Sequence, residues 1–353
     1  MKSLEEQARD KLVRNSKLLS VFDYEEAAKL SLSEEVRNYI YRGTESESTL
    51  RRNEEAFSRY LLRRRVLHGI VSVKTEASYF DGRIRSEIPF FPSSINVSPL
   101  YPNALLDILR LSKKYYFPIF VSHLALGPSL EIPKLPSLVP QDFPLLWQIY
   151  FETNNKDRIL KDVSRAKEWG YKGITITVDT EQNVKLGYEV PKQLMSESFL
   201  AVTPKEIREV RERTSLPLIV KGLMTPEDSE LAVESGADGV VVSNHGGRTL
   251  DEGEATIEAL PKIAKHLKGK RATRRTEIFV DGGIRKGTSI LKALALGARG
   301  CLIGRPIFWG LAVNRAEGAS NVIQILRSEL TRAAILCGVK DTSKVSGKIL
   351  VKC

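Results

Sequence analysis

Cysteine is scarce in this chain: Cys301, Cys337 and Cys353 are the only three among 353 residues. They show no metal-ligand spacing and are too few for a disulfide framework, so they read as reduced thiols with no metal site among them. Long apolar runs are lacking as well. No window approaches the roughly 20 apolar residues that cross a bilayer. The opening Met1-Lys-Ser-Leu-Glu-Glu is charged where a secretory leader would be apolar. These absences predict a cytoplasmic protein without a membrane span. Neither sign of charge dominates locally, although the formal balance is +11. Basic residues alternate with glutamate along helical patterns, as in Lys205-Glu-Ile-Arg-Glu-Val-Arg-Glu-Arg213, which describes a solvated helix face and predicts no nucleic-acid partner.

What the chain does have is alternation. Short apolar runs that read as strands cover Ile88 to Ser94, Phe117 to Ser122, Leu145 to Tyr150, Gly173 to Asp179, Pro217 to Gly222, Gly239 to Asn244, Glu277 to Gly282 and Gly300 to Arg305. Helical patterns separate most of them: Asn103 to Tyr116, Lys156 to Gly170, Thr203 to Thr214, Thr225 to Gly236, Ala255 to Leu267 and Gly287 to Gly297. The proline-rich link Leu124 to Phe143 reads as irregular. Eight strands alternating with helices predict an α/β fold, a (β/α)8 TIM barrel. An N-terminal helical extension precedes it, with Ser31 or Ser33 capping a helix from Glu34 to Tyr41 and Gly43 as a stop. The expected organisation is one domain over 1–353, with the extension at 1–70, the barrel at 88–310 and a helical segment at 311–353.

Chemistry in such a barrel gathers at the C-terminal ends of the strands. Those ends carry Ser122, Gln148 with Tyr150, Thr177 with Asp179, Lys221, His245 with Arg248, Asp281 with Arg285, and Gly304 with Arg305. The densest stretch is Ser243-Asn-His-Gly-Gly-Arg-Thr-Leu-Asp251, following the β-branched run Val240 to Val242. His245 can carry a proton near neutral pH, and Arg248 offers a planar fork of donors that suits a carboxylate. After the last two strands, Asp281-Gly-Gly-Ile-Arg285 and Ile303-Gly-Arg-Pro306 place glycines beside arginines, a pattern for holding a phosphate.

The run from Ser243 to Asp251 resembles the signature of the FMN-dependent 2-hydroxy-acid oxidase and dehydrogenase family, which includes glycolate oxidase, lactate oxidase and flavocytochrome-type lactate dehydrogenases. Ala293-Leu-Ala-Leu-Gly297 through Arg305 continues the match, and Tyr24-Glu-Glu-Ala-Ala-Lys, Gly43, Thr49-Leu50, Asn53 and Ala56-Phe57 are similar to its N-terminal extension. The resemblance implies FMN as cofactor and a small 2-hydroxy acid as substrate. It makes His245 the base with Asp179 behind it, and Tyr150 a hydrogen-bond partner of the substrate hydroxyl. Arg248 and Tyr24 would hold the carboxylate. Ser93, Ser94, Ser122, Gln148, Thr177, Lys221 and Ser243 would serve the flavin, and Asp281, Gly283, Arg285, Gly304 and Arg305 the phosphate end of the cofactor. It also implies a homo-oligomer, a tetramer or octamer.

Four departures qualify the likeness. The family places a second arginine after Thr-Val-Asp-Thr, where this chain reads Thr177-Val-Asp-Thr-Glu-Gln-Asn-Val-Lys-Leu-Gly187, leaving Lys185 as the nearest cation. The stretch Tyr188 to Ala201 is short for the family's lid. Pro92-Ser93-Ser94 replaces Pro-Thr-Ala, and His123-Leu124 stands where Ser-Trp is common. Two alternatives therefore stay open: another FMN-dependent barrel enzyme, of the isopentenyl diphosphate isomerase kind, and a flavin-binding scaffold.

Overall fold

A computed structural model describes residues 18–126, 130–152, 155–180, 200–270, 273 and 275–352. Eight strands form the central sheet: β1 Phe90–Pro92, β2 Ile119–Ser122, β3 Leu145–Ile149, β4 Gly173–Thr177, β5 Leu218–Leu223, β6 Gly239–Val242, β7 Glu277–Val280 and β8 Gly300–Ile303. Parallel ladders join β2 to β8 in sequence order, and β8 returns to pair with β1, giving a nearly closed (β/α)8 barrel. All eight expected strands are present. Seven are shorter than their apolar runs, and β5 has the expected length but is shifted by one residue, to Leu218–Leu223. Gly304 and Arg305, read as strand end, instead open a helix.

The strands are buried on both faces, as their near-continuous Ile, Leu and Val content requires. Val240, Val241 and Val242 have no exposed surface, and full burial of such side chains is worth about 1.5–3 kcal/mol each. Below the barrel, an antiparallel hairpin of Ala77–Tyr79 and Ile84–Ser86 packs Tyr79 against Phe91 and Phe279.

The extension supplies α1 Val21–Ser31, α2 Glu34–Tyr41 and α3 Ser48–Glu55. Ser33 caps α2 through a bond from Val36 N, one of the two expected candidates. Between strands lie α4 Ala104–Arg110, α5 Lys156–Trp169, α6 Pro204–Arg213, α7 Pro226–Glu234, α8 Thr256–Gly269 and α9 Gly287–Ala295. In α5 the buried face is Ile159, Leu160, Val163 and Ala166, and Gly170 ends the helix in the left-handed region. In α6, Thr203 and Glu206 form a reciprocal capping box before Pro204. Among its described residues, the link after β2 contains only 3-10 turns, including Ile132–Leu138.

The final helix, α10 Arg305–Leu336, breaks at Asn314 and Arg315, whose backbone angles are non-helical. Beyond it the chain is not helical as expected. Short 3-10 turns lead to a strand, Leu350–Lys352, that pairs antiparallel with Tyr60–Leu62. The last residues thus tie the extension to the far end of the chain.

Candidate active site

The loop after β6 sits at the C-terminal mouth of the barrel. His245 adopts φ of +55°, a conformation that bulky residues rarely take and that needs local support. Support comes from Ser243, whose Oγ accepts the His245 N–H at 3.1 Å, and from Asn244, whose Oδ1 accepts the Gly247 N–H at 3.1 Å. The imidazole Nδ1 then lies 3.1 Å from Asp179 Oδ1 at the end of β4. Burial alone would raise the Asp179 pKa, yet His245 and Lys221 beside it hold it below the ordinary carboxylate value. Asp179 therefore stays ionised and keeps a proton on Nδ1, leaving Nε2 as the basic nitrogen.

Gly222 makes this contact possible. It sits at a register shift in β5 with φ of +111°, and a Cβ there would come within 2.6 Å of Asp179 Cγ. One residue earlier, the Lys221 ammonium is buried 2.9 Å from Ser243 Oγ and 3.2 Å from Asp281 Oδ2. Burial opposes its charge, but Asp281 and Asp179 keep its pKa above the ordinary lysine value. A fixed cation thus stands beside the His–Asp pair.

The N-terminal extension forms the other wall. Asn53 and Asn244 exchange two side-chain hydrogen bonds of 2.9 and 3.0 Å while buried. Asp251 accepts from Ser46 N, Ser48 Oγ and Thr49 N, and Thr44 N donates to Gly247 O at 3.0 Å. Gly283 follows from the same docking: a Cβ there would lie 1.9 Å from Asn53 O. That glycine is required by the extension's backbone, a different reason from the anion approach its motif suggested.

Docking of α2 puts Tyr39 at the site. The Arg248 guanidinium lies over its ring, 4.9 Å from the centroid, and Tyr39 and Tyr150 both pull the Arg248 pKa upward against the burial that lowers it. Tyr24 is elsewhere. It is buried in α1 beside Asn321 and Glu317 of α10, so the expected role of Tyr24 beside Arg248 is corrected: the tyrosine there is Tyr39. In sequence, both occupy helices of similar pattern, and only the α1–α10 packing separates them.

Around the rim, Gln148 Nε2 donates to Tyr150 Oη at 2.8 Å, and burial raises the Tyr150 pKa to about 12. Ser122 Oγ accepts from Leu124 N, Thr177 ends β4 in register with Lys221, and Ser93 N donates to Ile303 O, joining the first and last strands. His123 stands edge-on to Tyr150 with centroids 5.9 Å apart, and burial pushes its pKa down to about 4. Sequence reading gave no role to His123. Lys185 lies outside the described residues.

The phosphate candidates converge after β7 and β8. Arg285 Nη2 bonds Glu54 at 2.6 Å, and the guanidinium lies over Trp309. Gly304 precedes α10 without a side-chain cap, but Pro306 carries no N–H and the Ile307 and Phe308 amides donate to Gly304 O, so within the first turn only the Arg305 amide is left to face an anion. Arg305 spends donors on the carbonyls of Ile40 and Gly246. Burial, with Arg285 and Arg248 nearby, pushes its pKa down to about 9. This local excess of positive charge is what a bound phosphate would relieve. The buried atoms without a hydrogen-bond partner at this end of the barrel include Ser94 Oγ, Gln148 Oε1, Asp281 Oδ1 and Arg285 Nε, each costing about 1–3 kcal/mol unless a ligand meets it. Amide, hydroxyl and carboxylate groups on one side with guanidinium groups on the other suit the polar ring edge and phosphate of FMN.

Comparison with known proteins agrees. The model of the FMN-dependent dehydrogenase family matches residues 28–202 and 188–352. A 2-hydroxyacid oxidase of Dictyostelium discoideum is 33% identical, over 96% of this chain and 91% of its own length. 2-Hydroxyacid oxidase 1 of Mus musculus is 32% identical over 95% and 97%. Among solved structures, mandelate oxidase with benzoyl-formic acid superposes with a TM-score of 0.83 at 30% identity, covering 96% of this chain and 99% of that one. The flavin-binding domain of baker's yeast flavocytochrome b2 gives 0.86 at 27%, covering 99% and 92%. The chain therefore belongs to the FMN-dependent 2-hydroxy-acid oxidase family, oxidoreductases that act on a CH–OH group with FMN as cofactor.

Proposed function

We propose that this enzyme oxidises a small, lactate- or glycolate-like L-2-hydroxy acid to the 2-oxo acid, and that oxygen or another acceptor then re-oxidises the flavin. The observation that carries this reading is the 3.1 Å contact between His245 Nδ1 and Asp179 Oδ1, three residues before a guanidinium suited to a carboxylate. With Nδ1 occupied, His245 Nε2 takes the proton from the substrate's hydroxyl or α-carbon, and the charge that forms on the ring is stabilised by Asp179. Arg248 and Tyr39 grip the carboxylate, one by a charged fork and the other by a hydroxyl. Tyr150, held by Gln148, hydrogen-bonds the substrate hydroxyl.

Bound FMN supplies the two-electron sink that no side chain offers. Ser93, Ser94, Ser122, Gln148, Thr177 and Ser243 would hold its ring system, Asp281 would accept from the ribityl hydroxyls, and Arg285, Gly304 and Arg305 would hold the phosphate. Lys221, fixed between Ser243 and Asp281, would place a positive charge beside the ring. Lys185 is the cation nearest the position of the family's second arginine. As a point charge without bidentate geometry it would hold the carboxylate less rigidly, so Lys185→Ala should raise KM.

We also take the whole chain, 1–353, as one FMN-binding unit that acts in the cytoplasm as a homo-oligomer. No helix among the described residues is long and apolar enough to cross a membrane. The test of the reaction is an anaerobic absorbance spectrum before and after adding a panel of L-2-hydroxy acids. Bleaching by one of them supports the reading and names the substrate. A flavin that stays oxidised with every acid refutes it.

A further inference from the structure

The end of the barrel opposite the active site holds a cavity of about 600 Å³. It lies between the last turns of α8, the turn from α9 into β8 (Leu294 to Arg299) and the C-terminal segment at 342–347. The strands begin here, so this cavity shares no wall with the His245 loop. Its volume falls within the range of about 300–1,000 Å³ typical of small-molecule sites.

Its lining has a consistent chemistry. Ala77, Pro89, Pro261, Leu294 and Val345 supply apolar wall, and the charged side chains that line it are Lys265, Lys268 and Arg299. No Asp or Glu lines it among the described residues. Arg299 is fixed in place, with Nε 3.1 Å from Glu277 Oε2 and Nη2 donating to Ser78 O at 3.0 Å. The Lys268 ammonium folds over the α9–β8 turn, 3.6 Å from where a Cβ on Gly297 would stand. Among the described residues neither Lys265 nor Lys268 forms an ion pair. Desolvation and the Arg299 charge lower the Lys268 pKa from its ordinary value, with Glu277 pulling the other way.

A simpler account is that Lys265 and Lys268 only offset the partial negative charge at the C-terminus of α8. That account requires neither a cavity nor a third cation across it.

We propose that this basal cavity is a binding site for an organic anion: a compact apolar body carrying a carboxylate, sulfonate or phosphate group that Lys265, Lys268 and Arg299 receive. Of the hydroxyl residues on the C-terminal segment that line it, Thr342 and Ser343 already donate to Lys74 O and Asp341 Oδ1, which leaves Ser346 as the added hydroxyl. The site is independent of which acid the other end of the barrel oxidises.

The test titrates FMN-loaded protein with 1-anilinonaphthalene-8-sulfonate, followed by fluorescence, with N-phenyl-1-naphthylamine as the same rings without the charge. Saturable sulfonate binding is expected to weaken about tenfold in Lys265→Ala/Lys268→Ala, as loss of charge-assisted contacts implies. The neutral compound should bind weakly to both proteins, and the flavin spectrum and turnover should not change. If the double variant folds poorly, Lys268→Gln alone should weaken sulfonate binding about threefold. Sulfonate binding that is absent, that survives these substitutions unchanged, that the neutral compound matches, or that a 2-hydroxy acid displaces would overturn the proposal.

Discussion

Gly222→Ala tests whether the space beside Asp179 sets the geometry of the catalytic pair. The added methyl would stand 2.6 Å from Asp179 Cγ and 2.9 Å from Oδ1, whereas carbon atoms in contact sit about 3.5–4.0 Å apart. The carboxyl group must therefore retreat by about 1 Å, which stretches the 3.1 Å contact to His245 beyond hydrogen-bonding range. A hydrogen bond to a charged group is worth about 1.5–3 kcal/mol. If that stabilisation operates in the transition state, flavin reduction slows by about 10- to 150-fold. Alanine at φ of +111° adds backbone strain of about 1–3 kcal/mol, visible as a lower thermal midpoint. The assay is anaerobic rapid mixing of FMN-loaded protein with substrate, with FMN content and melting recorded in parallel. Asp179→Asn provides the reference, and the two changes together should cost little more than either alone, because both act on one contact. A Gly222→Ala protein that holds FMN and reduces it at the wild-type rate would refute the argument.

Three further outcomes follow from the same geometry. Tyr39→Phe should raise KM for the hydroxy acid about tenfold through loss of a carboxylate hydrogen bond, while Tyr24→Phe leaves it within about twofold; the reverse result would return the role to Tyr24. Asn53→Ala removes both bonds to the Asn244 amide and the acceptor of the buried Thr256 N–H, at a cost of about 1–3 kcal/mol, measured as a drop in unfolding free energy, and a drop below about 0.5 kcal/mol would mean that the extension is not docked through Asn53. His123 has a folded pKa of about 4, below the unfolded value of about 6.5, so the unfolded chain binds the extra proton between them. Stability should therefore fall as pH drops through that window and hold above it. His123→Phe should flatten that part of the profile of thermal midpoint against pH, and an unchanged slope would contradict the assignment.

The barrel was legible because each strand is a short β-branched or aromatic run with turn residues at its ends, a signal that survives without tertiary information. The His245–Arg248 loop was legible because its residues are contiguous. Tyr39 was not, since its place depends on α2 packing over the loop, and a local pattern cannot separate it from Tyr24 on α1. Gly283 was read as an anion contact because a glycine pair beside arginine suggests one, yet the backbone that presses on it belongs to Asn53, 230 residues earlier in the chain. Gly222 carried no motif at all; its importance comes from a register shift that exists only once β5 is paired. The strand at Leu350–Lys352 was missed because its partner, Tyr60–Leu62, lies at the other end of the sequence.

His245→Gln is the most direct test of the central claim, that His245 with Asp179 behind it removes the substrate proton while FMN takes the electrons. Glutamine keeps polarity and approximate size, so the protein should retain its FMN spectrum. Anaerobic flavin reduction by the substrate identified from the acid panel should fall by about 10²- to 10⁴-fold, as loss of a general base requires. Near-normal reduction in a FMN-loaded His245→Gln protein would contradict the account.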